Sequence, residues 1–325
     1  MTCHSCRVET VKAGKGRNQI QRYQCQQCGR RFTEPRETPF GADVRLPRER
    51  VVMILNCLVE GNSVRATARL CDVEPKTVLT ILKLAGGNCE RIMGRLVVNV
   101  PVKDVQCDEI WGFVGKKETH KWPWESDDNS IGDAYTFVAI ERHSKLVLNF
   151  ALGRRDQLTT NAFIEGLRAA TAPQRFQLST DGFLPYVWAV DGTLADRVDF
   201  TQLVKVYASS HEGQQRYSPA EVTDIIRKPI IGSPNPDNIC TSHVERSNLT
   251  MRMQIRRLTR LSNAFSKKWE NLWAALCLYF TWYNFVRIHG TLRVTPAMQA
   301  GIADHVWDLA ELMADPAARS LPAAA

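Results

Sequence analysis

Two C-x-x-C pairs open the chain, Cys3-His-Ser-Cys6 and Cys25-Gln-Gln-Cys28, with 18 residues between them. No other feature limits the local fold so tightly. Each pair can hold one metal ion with two thiolates, and two pairs at this separation complete a tetrahedral zinc site. Gln21–Gln24 reads as a short strand leading into Cys25. A segment this small buries too little apolar surface to fold unaided, so the metal would be part of the fold. A zinc ribbon is expected over residues 1–35, with Cys3, Cys6, Cys25 and Cys28 as zinc ligands. The remaining cysteines are scattered, which argues for a reducing compartment and against a disulfide scaffold. No apolar run is long enough to span a membrane, and the N-terminus lacks signal-peptide character, so the cytoplasm is expected.

Charge is unevenly placed. Residues 1–50 carry 11 Lys/Arg against 5 Asp/Glu, and residues 246–268 carry seven Lys/Arg and no acid. The rest is net −5 in a chain whose total is +8. Two basic segments on an otherwise acidic chain imply a polyanionic partner touched at two places.

A connector with Pro and Gly, about residues 36–47, leads to apolar positions Val51, Ile54, Leu55 and Leu58 at helical spacing. Asn62 or Ser63 can cap a second helix running to about Cys71. Pro75 suits the first turn of a third, and Gly86 or Gly87 its end. Residues 48–88 therefore read as a helix-turn-helix unit with Lys76–Leu84 as recognition helix, and Lys76, Thr77 and Lys83 as candidate DNA contacts. Any helical hairpin could look like this; the basic ribbon beside it favours DNA.

From Leu96 the pattern turns to strands. Val105–Val114, Ala134–Ile140 and Lys145–Gly153 alternate or run apolar, with a polar loop at Lys116–Gly132 that holds Trp122 and Trp124. A helix over Thr159–Ala170, strands at Phe176–Ser179 and Leu203–Ala208, and a long helical region from about His243 follow. This is the outline of an α/β (α+β) ribonuclease-H-like domain over residues 100–290, with an inserted loop at 209–241 and a C-terminal helix and tail at 291–325.

The strand Gln106-Cys-Asp-Glu-Ile-Trp opens on two adjacent carboxylates, Asp108 and Glu109. Neighbours on a strand face opposite ways, so at most one of them is expected in any given pocket. A carboxylate at a buried sheet edge is costly without a cation or hydrogen bonds. Asp181 ends another strand ahead of Gly182, which would let a ligand approach. Glu245 begins a run in which Arg252, Arg256 and Arg260 follow at helical spacing with Arg257 adjacent, a one-signed stripe suited to phosphate. Each acid has a plain alternative: an exposed strand end, an Asp-Gly turn, a surface ion pair. Together, three carboxylates could hold two divalent ions for displacement at phosphorus, and hard oxygen ligands suit Mg²⁺ or Mn²⁺.

The chain resembles the transposases of the insertion-sequence-one family, of the DDE class. The matching stretches are R-Y-Q-C-Q-Q-C-G-R-R-F with the first C-x-x-C, R-A-T-A-R-L-C-D-V-E-P-K-T-V-L, C-D-E-I-W-G-F-V-G, T-D-G-F-L-P-Y, V-E-R-S-N-L-T-M-R and L-S-N-A-F-S-K-K, in family order over residues 3–268. The resemblance implies Asp108, Asp181 and Glu245 as a metal-binding catalytic triad, favouring Asp108 over Glu109. It implies structural zinc on the four cysteines and binding of terminal inverted repeats. It further implies metal-dependent cleavage of element ends, joining of their 3′ hydroxyls to target double-stranded DNA, a homodimer or larger assembly on DNA, no membrane, and a nucleoid-associated, prokaryotic setting. Residues 116–132 and 209–241 and the extended C-terminal part depart from the family's short members. Rival expectations are a DNA-binding regulator with an inert core, an architectural DNA protein, and a nuclease that cuts without joining.

Overall fold

The computed structural model describes residues 1–3, 5–16, 20–33, 44–207, 222–260 and 262–313. Most of the expected linker at 36–47, part of the insertion at 209–241 and the tail from 316 lie outside the described residues. Two compact units divide the chain, Met1–Val51 and Val52–Ala325.

In the first unit β1 (Val11–Lys15), β2 (Gln21–Gln24) and β3 (Arg31–Thr33) form an antiparallel sheet in that order. Tyr23 and Phe32 stack across β2 and β3 with ring centroids 6.1 Å apart. That pair and two buried cysteines are too little for a core.

α1 (Arg48–Val59) spans the boundary at Val51, and in the second unit it is followed by α2 (Val64–Leu70), which Ser63 caps by accepting from the Ala66 N–H at 3.1 Å. A four-residue turn leads to α3 (Pro75–Leu96), with Pro75 in its first turn. The third helix does not stop at Gly86 or Gly87. It runs on to Leu96, because Gly86 is where α3 meets α7 (Trp269–Phe285): a Cβ there would lie 2.6 Å from Ala274 Cα. Glycine at this point is a packing device, not a stop. Gly86→Ala is therefore expected to destabilise by about 1–3 kcal/mol through overpacking. Gly94→Ala, exposed on the same helix with nothing within 4 Å, should stabilise by about 0.4–1 kcal/mol. Urea unfolding of both variants checks the pair; equal shifts would mean that the helices do not touch at Gly86.

The core is a six-stranded sheet of β4 (Asp104–Val114), β5 (Gly132–Glu141), β6 (Val147–Gly153), β7 (Phe176–Asp181), β8 (Val198–Tyr207) and β9 (Val222–Ile231), in the order β6-β5-β4-β7-β8-β9. β4, β7 and β8 are parallel; β5, β6 and β9 are antiparallel to their neighbours. α4 (Gln157–Ala170) and α5 (Pro185–Leu194) cover one face, where Phe137, Phe163 and Tyr186 form an aromatic cluster. α7 and α6 (Ser242–Gln254) cover the other, α7 through Phe150 against Trp273 and Phe280. Helix α7 is apolar on nearly every side and buried, as a central helix must be.

The expected loop at 209–241 is corrected in part by β9, which extends the sheet edge. Residues Val222–Pro229 are all exposed, so no alternation between a buried and a solvent face marked the strand. Pro229 is tolerated because the outer edge needs no ladder donor. No helix among the described residues is long and apolar enough to cross a membrane.

Candidate active site

Parallel pairing of β4 and β7 runs from Asp104↔Gln177 to Gln106↔Ser179. Two residues further on, Asp108 stands level with Asp181, the last residue of β7. Carboxylate oxygens of Asp108, Glu109 and Asp181 all lie within 4.8 Å of one another. The expectation that only one of Asp108 and Glu109 belongs to a pocket is corrected here. Alternation does turn them to opposite faces, Asp108 toward α6 and Glu109 toward Tyr186 and Arg155. At the end of the paired stretch, however, both side chains reach around to Asp181.

Each acid has its own holder. Asn248 Nδ2 donates to Asp108 Oδ2 at 2.8 Å. Arg155 bridges the other two, with Nε 3.0 Å from Glu109 Oε2 and an Nη 3.2 Å from Asp181 Oδ2, while its guanidinium lies 3.9 Å from the Phe183 ring centroid. The Phe183 N–H donates to Asp181 Oδ1 at 3.0 Å, and a Cβ at Gly182 would meet Val204 Cγ2 at 3.0 Å. Glu109 Oε1 and the Tyr186 hydroxyl are buried side by side, and neither makes a hydrogen bond of normal geometry.

Glu245 is not in this trio. Its Oε1 takes Lys205 Nζ and Thr241 Oγ1, both at 2.5 Å. It nevertheless stays near enough to Asp108 to raise that group's pKa. Gln106 explains why α6 lies here: its buried Oε1 accepts from the His243 and Val244 N–H groups at 3.0 and 3.3 Å, capping the helix from inside the sheet.

Burial, then the charges of Glu109 and Asp181, push Asp108 up to about 7. Burial and Asp181 also raise Glu109, with Arg155 acting against them. A carboxyl whose folded pKa lies above its unfolded value holds its proton more tightly when folded. Its contribution to stability is therefore full below the ordinary carboxylate range and is lost as pH rises to about 7. In chelator the protein should lose thermal stability across that window at about 1.4 kcal/mol per unit of displaced pKa. Asp108→Asn should flatten the loss, and thermal melts from pH 4 to 8 check it; an unchanged slope in the variant would place the titration elsewhere, for example at buried Asp104, which burial also raises.

Three converging acids with one arginine and an unpartnered oxygen are a donor set short of positive charge, which fits a hard divalent cation. The four N-terminal sulfurs form the second such group among the described residues, again within 4.8 Å, with Cys3 and Cys25 buried and Cys3 Sγ 3.7 Å from Cys28 Sγ. Hydrogen bonds from the backbone of Cys6 and Ser5 lower Cys3 to about 7, and neighbouring Cys28 pushes Cys6 up to about 12. That donor set fits a tetrahedral soft-ligand ion.

No family model and no curated protein matches this chain. Among solved structures it is similar to the Mos1 strand transfer complex, at 15% identity and TM-score 0.21, over 48% of this chain and 58% of that one. It is also similar to a piggyBac transposase synaptic complex with hairpin DNA, at 11% identity and TM-score 0.33, over 86% and 72%. The chain thus spans little more than half the length of the Mos1 chain it matches. Both likenesses are too remote to carry the chemistry of the site, which rests on its own residues.

The expected arginine stripe is corrected. α6 ends at Gln254 with Ile255 extended, so Arg252, Arg256 and Arg260 do not share one helix face. Arg252 donates to the carbonyls of Leu258 and Trp111 at 3.0 and 3.1 Å, tying the turn to β4, and burial lowers it to about 10. Arg257 is lowered to about 10 by burial alone, whereas Arg256 and Arg260 are exposed. In α3, Lys76 is exposed and Thr77 half-buried, while Lys83 lies 3.6 Å from Glu270 on α7. Trp122 and Trp124 stack at 5.4 Å, 56% and 79% exposed.

Of the residues that sequence reasoning missed, Asn248 carried a signal, since it stands three positions after Glu245 on one helix face. Arg155 and Lys205 had none: each reaches its acid from a distant part of the chain.

Proposed function

We propose that this chain is a metal-dependent DNA transposase of the DDE class, acting as the family resemblance implies. The observation that carries the proposal is the trio of carboxylates at the end of two parallel strands, with Glu245 on the helix above them. Asp108 and Asp181 would hold two divalent ions between them, and Glu245 or Glu109 would complete the set. Such ions lower the pKa of an attacking water or DNA hydroxyl and stabilise the departing oxygen.

The chain's own residues account for the rest. Asn248 and the Phe183 N–H fix the carboxylate orientations, Arg155 holds Glu109 and Asp181 together, and Lys205 holds Glu245 beside Asp108. Arg256 and Arg260, exposed beyond α6, would take DNA phosphates, which position the backbone without reading sequence. Lys76 and Thr77 open the helix proposed to read terminal repeats, and the four cysteines would be closed by structural zinc.

Incubating the full chain with Mg²⁺ or Mn²⁺, a labelled pre-cleaved element end and target plasmid tests this. Joined product is expected. Cutting without joining would leave a nuclease, and tight end binding without chemistry a regulator with an inert core.

A further inference from the structure

A cleft of about 1000 Å³ opens between the end of α1, the start of α2, one side of α3, helix α7 and the turn after α6. Its floor is apolar, with Leu79, Leu82 and Leu278 among the lining residues. Its charge is all of one sign. Arg65, Arg256, Arg257 and Lys267 line it, and among the described residues no Asp or Glu does.

Arg65, Arg256 and Lys267 are exposed at the mouth, and Lys267 lies 3.5 Å from the Phe265 ring centroid. Arg257 is different. Its Nη1 donates to Ser266 Oγ at 3.1 Å, and its Nη2 is buried without a partner. A half-buried guanidinium with a buried, unpartnered nitrogen and no carboxylate beside it among the described residues is a cost to the fold, because desolvation of the charge is not fully offset. Proteins retain such a group where an anion completes it, and the planar two-nitrogen edge of arginine matches a phosphate better than a lysine does.

We infer that this cleft receives a phosphate of a nucleic-acid backbone, with Arg257 as the buried contact and Arg65, Arg256 and Lys267 tracking the strand at the mouth. The inference rests on the proposed function and extends it. The cleft joins the helices proposed to read DNA to the segment that follows Glu245, so a phosphate seated there would tie end binding to the catalytic helix.

The test uses the full chain and its Arg257→Met variant. A fluorescein-labelled 30-bp duplex and inorganic phosphate are the probes. Without either, the variant should melt roughly 2–4 °C above the wild type, because an uncompensated charge is gone. Phosphate should raise the melting point of the wild type and leave the variant unmoved. The variant should bind the duplex about tenfold more weakly, with a log–log salt slope shallower by about 0.9, the loss of one phosphate contact. A variant that melts below the wild type would make Arg257 a structural residue and end the inference. Stabilisation by phosphate with an unchanged salt slope would assign the cleft to a free anion and equally overturn the nucleic-acid assignment. Lys267→Ala, at the exposed mouth, repeats the slope measurement should Arg257→Met fail to fold. A wild type that binds no duplex sinks the proposed function itself, whereas wild-type binding with unchanged slopes in both variants sinks this inference alone.

Discussion

Alanine at Asp108 or at Asp181 is expected to reduce strand transfer at least about a thousandfold while leaving duplex binding near wild type. Two divalent ions held by the trio, as proposed, would contribute several kcal/mol of charge stabilisation in the transition state, and each 1.36 kcal/mol is a factor of about ten. The two positions stand level on adjacent parallel strands, so losing either opens the site. Removing a carboxylate from a crowded anionic cluster should not unfold the protein, since burial and like charges already hold Asp108 at about 7. The same assay separates the two candidates for the third acid. Glu245→Gln should cost as much as Asp108→Ala if the Lys205 pair opens when metal and DNA enter. Glu109→Gln should then cost about tenfold or less, acting through Arg155 and Asp181. The reverse order would assign the third ligand to Glu109 and leave Glu245 as a partner for Lys205. Wild-type joining by Asp108→Ala would remove the trio from the chemistry altogether.

The second large effect is at the other end of the chain. Cys25→Ser, or a strong chelator, is expected to unfold the three-stranded sheet of β1–β3 completely. Cys25 is fully buried, and the sheet has little apolar core beyond Tyr23 and Phe32. Structural zinc supplies about 10–16 kcal/mol of apparent binding free energy in units of this kind, more than a sheet of this size could lose and stay folded. Amide exchange of residues 11–15 and 21–24 should go from protected to free in the variant, with the six-stranded sheet unaffected. Protection that survives chelation would mean that the four thiols hold no structural ion.

Much of the core was legible because buried strands and helices advertise themselves by period. β4 to β7 and α4 lie close to where alternation and helical spacing put them, and Ser63 and Pro75 mark the starts of α2 and α3 through their capping chemistry. β9 escaped notice because it is exposed along most of its length and carries Pro229. α5 escaped because its residues are apolar with little periodicity and follow directly on the Asp181 turn.

What the sequence by itself determined is chemical and local: four thiols at a spacing that can close on one ion, a carboxylate pair within a buried strand, and an acid ending another. Only the tertiary structure decided which of these groups meet. Periodicity assigns a side chain to a face but not a distance, and at the end of the β4–β7 pairing Glu109 reaches Asp181 from the face opposite to Asp108. The arginines after Glu245 looked continuous because spacing cannot say where a helix stops. α6 stops at Gln254, where Ile255 turns extended; Arg252 bonds the Trp111 and Leu258 carbonyls while Arg257 lines a cleft. Gly86 reads as a helix end until α7 lies against it. In each case the deciding interaction joins residues far apart in the chain, where no local pattern can register it.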